Sequence, residues 1–449
     1  MSWTRVVFGV LVCAITLTAV SCSQSHDTLP ATAAPTWMNE RLGGATTARE
    51  FRGRPFNQVA RSLTQAESKR FFQGAVSFDE FLTPESGLGP RFVDRGCISC
   101  HIDGDPASLP TDEIGPGALV RLSVPGVSPT GGTVDEPTYG GQLQSQAIPG
   151  ATPEAHLKYE LDESTYTYPD GSTVGLRAPR PVMTDWAFGV PRQDLQTSIR
   201  ISPQLVGLGL LEAVPQDAID RVADPQDANG DGISGRKNMV WNSATSTTQM
   251  GRFGWKAGQP TVELQTLAAM HQDIGLVTPG TEGQGFGDSV ELTQKDLDDQ
   301  VFYNRTIAVP VARNFDDAQV IRGAIEFESA GCASCHITTW TTGTDPIVGL
   351  SNQTIHPFTD LLLHDMGDGL ADHRSEFLAT GTEWRTPPLW GVGRRSEVTG
   401  FSTYLHDGRA RSLEEAVLWH GGEAAAARDR FASLSSSERE DLLAFLGSL

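Results

Sequence analysis

Residues 96–101 read GCISCH, and residues 331–336 read GCASCH. Two cysteines with two residues between them, followed at once by histidine, place both thiols on one face of a helical turn with an imidazole at its end. That is the arrangement needed to join two thiols to the vinyl groups of one haem and to offer its iron a proximal ligand. The spacing therefore predicts one haem c held by Cys97, Cys100 and His101, and a second held by Cys332, Cys335 and His336. Two other chemistries use paired cysteines. A zinc site joins pairs roughly 12 to 20 residues apart, whereas these pairs begin at 97 and 332. A redox-active CxxC needs no histidine after it, and here one follows twice. The other cysteines are Cys13 and Cys22, so no conventional disulfide is expected.

The flanks repeat as well. FVDRGCISCH from Phe92 aligns without a gap with FESAGCASCH from Phe327, an aromatic standing five residues before the first cysteine in both. Ahead of the second copy, Val320, Ala324 and Phe327 fall at helical spacing. Near the C-terminus, Ser435 and Glu438 spell a capping box, and Leu442, Leu443, Leu446 and Leu449 line one face of the helix it opens. The expected fold class is mainly α with long ordered loops: two cytochrome c-like domains, each around a covalently attached haem. The 47 glycines and 27 prolines in 449 residues fit the loops. The expected division is a signal at 1–21, a tether at 22–40, an N-terminal domain with a large insertion at 41–285, and a C-terminal domain at 286–449. The last boundary falls in the glycine-rich GTEGQGFGDS at 280–289.

Residues 6–20, VVFGVLVCAITLTAV, follow Arg5 as an apolar run shorter than the span of about 20 residues that a membrane helix needs. They read as a secretory signal. The AVSC that ends at Cys22 resembles a bacterial lipoprotein signal, in which that cysteine is lipidated; an ordinary cleaved signal is the other reading. The small, polar stretch at 23–37 suits a tether. The expected location is the periplasm or cell surface of a bacterium, with the membrane reached by the lipid alone. A net charge of −21 disfavours nucleic acid and favours a small basic electron carrier such as a cytochrome c.

What fills the sixth position of each iron separates electron transfer from chemistry. After His336, Ser412 and Glu415 spell a second capping box, and Leu413, Ala416, Val417 and His420 fall on one apolar stripe. His420 is the candidate distal ligand of the second haem, with His364 and Met366 as rivals. Between His101 and Gly150 there is no His or Met. The first haem is therefore expected to keep a free or weakly held sixth position where a small oxidant binds. The alternative is closure by a distant residue: His156, Met183, Met239, Met250, Met270 or His271.

EWRTPPLWGVG (383–393) with YLHDGRARSLEEAVLWHGGEA (404–424) strongly resembles the di-haem oxidoreductase family, as do GLGLLEAVP, DANGDGISGRKN and GRFGWKA in the middle of the chain. More distantly, the sequence is similar to bacterial dihaem cytochrome c peroxidases and to dihaem enzymes that oxidise protein tryptophans. Thr386, Pro387 and Leu389, then His406, Asp407 and Gly408, match their motifs, and His420 stands where those peroxidases carry Met. A His there lowers the potential relative to Met. The resemblance implies a peroxidase that reduces hydrogen peroxide. The rivals are a non-catalytic dihaem electron carrier and an oxidoreductase acting on a thiol, iron or an organic donor.

In the distant relatives a Gln and a Glu stand over the reactive haem, and QAIPGATPE (146–154) resembles that segment. It implies Glu154 as general base, with Gln146 or Gln144 positioning peroxide; a solvated loop carboxylate is the plainer reading. Asp227, Asn229 and Asp231 occupy positions 1, 3 and 5 of a calcium loop that turns on Gly232, but Asn238 replaces the final Glu. Trp186, Trp255, Trp384 and Trp390 are candidates for a residue bridging the haems.

Overall fold

The computed structural model describes residues 33–49, 54–106, 117–279, 290–400 and 402–449, with Met1 and Thr281. The signal, Cys22, most of the tether and nearly all of the glycine-rich stretch at 280–289 lie outside the described residues. Residues 34–449 form one compact unit. No helix among the described residues is long and apolar enough to cross a membrane.

The helices that position the site are α1 (Gln65–Phe78), α2 (Val262–Ile274), α3 (Gln294–Thr306), α4 (Ala318–Ser329), α5 (Leu413–Leu418) and α6 (Ser436–Ser448). The strands are β1 (Ala118–Ser123), β2 (His156–Thr167), β3 (Thr173–Thr184), β4 (Gln196–Ile201), β5 (Leu363–Asp365) and β6 (Glu383–Arg385). Capping boxes open α1 at Thr64–Glu67 and α6 at Ser435–Glu438, the second as its sequence predicts. Each supplies acceptors for amides that have no partner inside the helix.

Each CxxCH turn sits beside a crossed pair of helices, and both crossings have the same construction. α1 meets α3 at Gly74, where a Cβ would lie 2.3 Å from the Asp299 carbonyl oxygen and 2.7 Å from Tyr303 Cβ. α4 meets α6 at Gly323, where a Cβ would lie 1.9 Å from the Asp441 carbonyl oxygen and 2.8 Å from Phe445 Cβ. Only glycine lets the backbones approach so closely. Four residues after each glycine comes a phenylalanine. Phe78 packs on Tyr303 at 5.0 Å and Phe327 on Phe445 at 5.3 Å. Phe78 then lies 6.3 Å from the His101 ring at 55°, and Phe327 lies 6.3 Å from the His336 ring at 58°.

The counterpart of Phe327 is therefore Phe78, not Phe92 as the gap-free alignment suggests. Phe92 packs elsewhere, with Leu88, Met270 and Ile274. Phe78 precedes Cys97 by 19 positions and Phe327 precedes Cys332 by five, so the first copy carries 14 residues more between helix and turn. The helix that closes the first pair, α3, lies beyond residue 285.

The expected mainly α, cytochrome c-like fold does not hold. Helix takes up only 30% and strand 19%, and the strands form many small sheets. Among the described residues, helix is confined to the crossed pairs, α2 and a few shorter segments. The stretch between the first CxxCH and α2 is built of strands instead. β1 pairs antiparallel with β4 from Ala118↔Ile201 to Ser123↔Gln196. Val120, Leu122, Ile199 and Ile201 are buried there, as residues of period two that meet a core on one face should be. β2 and β3 form a long antiparallel hairpin, exposed along most of its length. Its tip is anchored far from its base. Tyr168 Oη donates to Glu414 Oε1 (2.8 Å), and Arg439 Nη2 donates to Asp170 Oδ2 (2.9 Å) while covering the Tyr168 ring. One large apolar core runs from Leu42 and Phe56 to Leu449 and is shared by both helix pairs.

Candidate functional site

Cys97–Cys100 form a single helical turn, with His101 at its end. The two cysteines and His101 line a cavity of about 400 Å³, within the size range of cofactor sites. Burial pushes the Cys97 thiol up to about 12 and raises Cys100 as well. That is the reverse of a thiol–disulfide site, where the attacking sulfur is held as a thiolate. Burial also lowers His101 to about 4, so the ring is neutral and able to ligate. Its Nδ1 is buried and makes no hydrogen bond of ordinary geometry, although the Pro203 carbonyl lies close enough to oppose the fall. A cavity beside a neutral imidazole and two unionised thiols fits a haem. Among the described residues no three His, Cys, Asp or Glu side chains converge as a metal cluster, which leaves the zinc reading without ligands.

The second turn differs. His336 Nδ1 bonds the Phe358 carbonyl at 2.7 Å, and His420 Nδ1 bonds the Ala416 carbonyl at 2.8 Å. In both rings the proton is thereby fixed on Nδ1, and Nε2 is left to ligate. Burial lowers His336 to about 4, and the nearby His420 adds to the fall; burial lowers His420 too. His420 follows α5, whose N-cap Ser412 accepts from the Glu415 amide. The reciprocal half of the expected capping box is missing, because the Glu415 carboxylate turns to the Arg411 amide and guanidinium instead.

The rival His364 has both nitrogens engaged: Nε2 with Asp360 Oδ2 and Nδ1 with Glu423 Oε2, each at 2.8 Å. Burial opposes its charge, but the two carboxylates outweigh burial and hold it up at about 12. A doubly bonded imidazolium has no lone pair for iron. Met366 packs beside Trp384 and Trp419.

The chain matches the family described as "Di-haem oxidoreductase, putative peroxidase" over residues 142–283 and 279–449. It belongs to the di-haem oxidoreductase family. No curated protein matches it. Among solved structures it is similar to Kuenenia stuttgartiensis hydrazine synthase pressurized with xenon, at 15% identity, over 97% of this chain and 100% of the other, with a TM-score of 0.36. That likeness is too slight to bear on the fold.

In this chain the implied Gln and Glu lie behind the first cavity and do not line it. Glu154 Oε2 accepts the Gln144 amide (2.7 Å), and burial raises its carboxyl to about 7. Gln146 bonds the Val93 carbonyl and Gln144 the Gln272 carbonyl, so both brace wall residues from outside. The carboxylates in the wall itself are Asp94, Asp135, Asp273 and Glu376. They come from four separate segments, and nothing in their spacing marks them. Met270, on α2, also lines the cavity, the member of the distant-ligand set that the fold brings there.

Trp255 lines the cavity and packs in one cluster with Trp384 and Trp419, the residue before His420. Trp384 stacks on the buried His406 with ring centres 3.6 Å apart and an angle of 12°. Trp186 lies against Tyr139, away from this row. Trp390 packs on Gly207. Asp227 and Asp231 spend their carboxylates on the amides of Gly232 and Ile233, and Asn229 accepts from the Asp231 amide, so the candidate calcium loop is held by its own backbone.

Proposed function

We propose that this di-haem oxidoreductase carries haem c at both CxxCH turns and uses the two unequally, reducing hydrogen peroxide in the His101 cavity with single electrons received at the His336 end from a small basic redox protein such as a cytochrome c. One observation carries this reading. At the second turn two imidazoles have their Nδ1 atoms tied to carbonyls, whereas the first turn faces a cavity of about 400 Å³ with no second histidine in its wall among the described residues. Haem at these places would supply one-electron storage and an iron at which an oxidant binds.

The chain's own residues do the rest. The carbonyls of Phe358 and Ala416 orient the ligating rings. Trp419, Trp384 and Trp255 pack in one cluster that reaches from beside His420 to the cavity wall and could carry electrons between the two sites. Burial raises the Asp273 carboxyl, so this wall residue can hold a proton for a leaving oxygen. A net charge of −21 steers a basic donor. The leader supports export and a lipid anchor at Cys22 in a bacterial periplasm or at the cell surface.

Met270 in the cavity wall favours a second reading, an electron carrier in which a thioether closes the first site. The ferric absorption spectrum of the matured protein separates the two. A high-spin band that moves with cyanide, together with peroxide turnover on a reduced cytochrome, is expected. Two low-spin haems indifferent to both reagents would overturn the peroxidase reading.

A further inference from the structure

The wall of the first cavity contains a concentration of positive charge that the composition does not foreshadow. Arg121, Arg200 and Arg374 all line it, on a chain whose net charge is −21. Arg200 and Arg374 are only 6% and 3% exposed, and Lys256, behind them, is fully buried.

Two carboxylates pair with them directly. Lys256 Nζ bonds Asp372 Oδ1 at 2.7 Å, Arg200 meets both Asp372 and Glu376 at 3.3 Å, and Arg374 meets Glu376 at 3.2 Å. These cations hold Asp372 and Glu376 in the ionised form against their burial. Asp94, Asp135 and Asp273 also face the group, and burial raises the carboxyls of Asp135 and Asp273. Among the described residues, Arg200, Arg374 and Lys256 thus pair with Asp372 and Glu376.

Two donors remain poorly used. Arg121 bonds the neutral Gln272 side chain. Arg374 donates to Glu376 and to Thr133 Oγ1, yet its Nε is buried without a partner. An unused buried donor costs about 1–3 kcal/mol. A guanidinium carries parallel N–H groups suited to two oxygens of one anion.

We propose that Arg374, with Arg121 and Arg200, forms an oxyanion site in this cavity that takes a carboxylate or another small oxyanion. Glu376 lies in the same wall and is covered by Arg200 and Arg374, which lets an anion approach. Two sources supply that chemistry: a propionate of a haem held at Cys97 and Cys100, or a free oxyanion entering the cavity. The inference rests on the wall alone and does not need the peroxidase reading.

The test uses the matured protein and has two arms. Resonance Raman spectra of wild type and Arg374→Gln compare the haem propionate bending bands. In parallel, thermal melts compare sodium formate with sodium chloride at equal ionic strength. If the occupant is a propionate, its band shifts in the variant and formate does nothing beyond chloride. If the occupant is free, formate raises the wild-type midpoint and the variant needs roughly tenfold more for the same rise, a loss of about 1.4 kcal/mol. Arg385, which also lines the cavity and donates to the Gly254 carbonyl, competes for a propionate, so the formate arm is decisive when the Raman bands stay put. Unshifted bands together with no formate response of the wild type, or one equal in the variant, would overturn the proposal. If Arg374→Gln does not mature, Arg121→Gln is read in the same way.

Discussion

Replacing Gly323 by alanine should loosen the second helix pair. The new methyl would sit 1.9 Å from the Asp441 carbonyl oxygen and 2.8 Å from Phe445 Cβ, and the first contact is with backbone, which cannot swing aside. α4 and α6 must part by about 1 Å or more. Overpacking of this kind costs about 1–3 kcal/mol. Alanine returns up to about 1 kcal/mol of helix preference. The expected net loss is about 1–2 kcal/mol, which is a few degrees of melting temperature at most in a chain of this size. Gly74→Ala, with its clash at 2.3 Å against Asp299, should lose a similar amount. Denaturant unfolding of the matured protein measures both. The spectra add a second readout. Phe327 touches the His336 ring and Phe78 the His101 ring, so each variant should disturb the haem beside its own pair and spare the other. Wild-type stability in either variant, or the same spectral change in both, would refute the crossing as described.

Four further outcomes are expected. His420→Gly should convert the low-spin haem of the second turn to a form that binds imidazole from solution, leaving the first unchanged; an unaltered spectrum would remove His420 as ligand. Met270→Ala should leave the ferric high-spin band as it is if the first site is free, whereas its growth from a low-spin wild type would support the electron-carrier reading. Lys256→Met leaves the Arg374 carbonyl without its donor and takes one donor each from Asp372 and the Thr380 carbonyl, which should cost about 1–3 kcal/mol in unfolding free energy. Glu154 has its folded carboxyl at about 7 against an ordinary value of 4.5, so the folded chain binds the extra proton between those limits and this contribution to stability is lost as pH rises through them. Glu154→Gln should remove that fall, so the difference between variant and wild type in unfolding free energy should grow in the variant's favour from pH 5 to pH 8, by about 2–3 kcal/mol; no pH dependence in the difference would contradict the shift.

What could be read from the sequence was local. The cap at Ser435 and the helix before Phe327 each depend on residues within a turn or two of one another, whereas the stripe expected to carry His420 does not hold, because the helix stops at Leu418 and buries Glu415 and Leu418 instead. The error over Phe92 arose because an alignment without gaps assumes equal spacing, while the helix of the first copy stands 14 residues further from its cysteines. The mainly α expectation extended the two helix pairs to the whole chain, although β1 and β4 already alternate in the way that strands do. The charged wall could not be foreseen. Arg121, Arg200 and Arg374 lie on three segments that meet only through the β1–β4 ladder and the loops after β5, and their burial is a property of that meeting.

The first cavity takes part of its wall from Arg374 to Arg395, residues that follow the second CxxCH turn in the chain. The two turns are therefore interlocked rather than strung together. A fragment cut between them could keep Gly74 against Asp299 and still lack one side of the chamber beside His101. Shuffling or trimming one half of such a protein would not yield a smaller working unit, and a lesion near Arg385 would be felt at a cysteine pair almost 300 residues upstream.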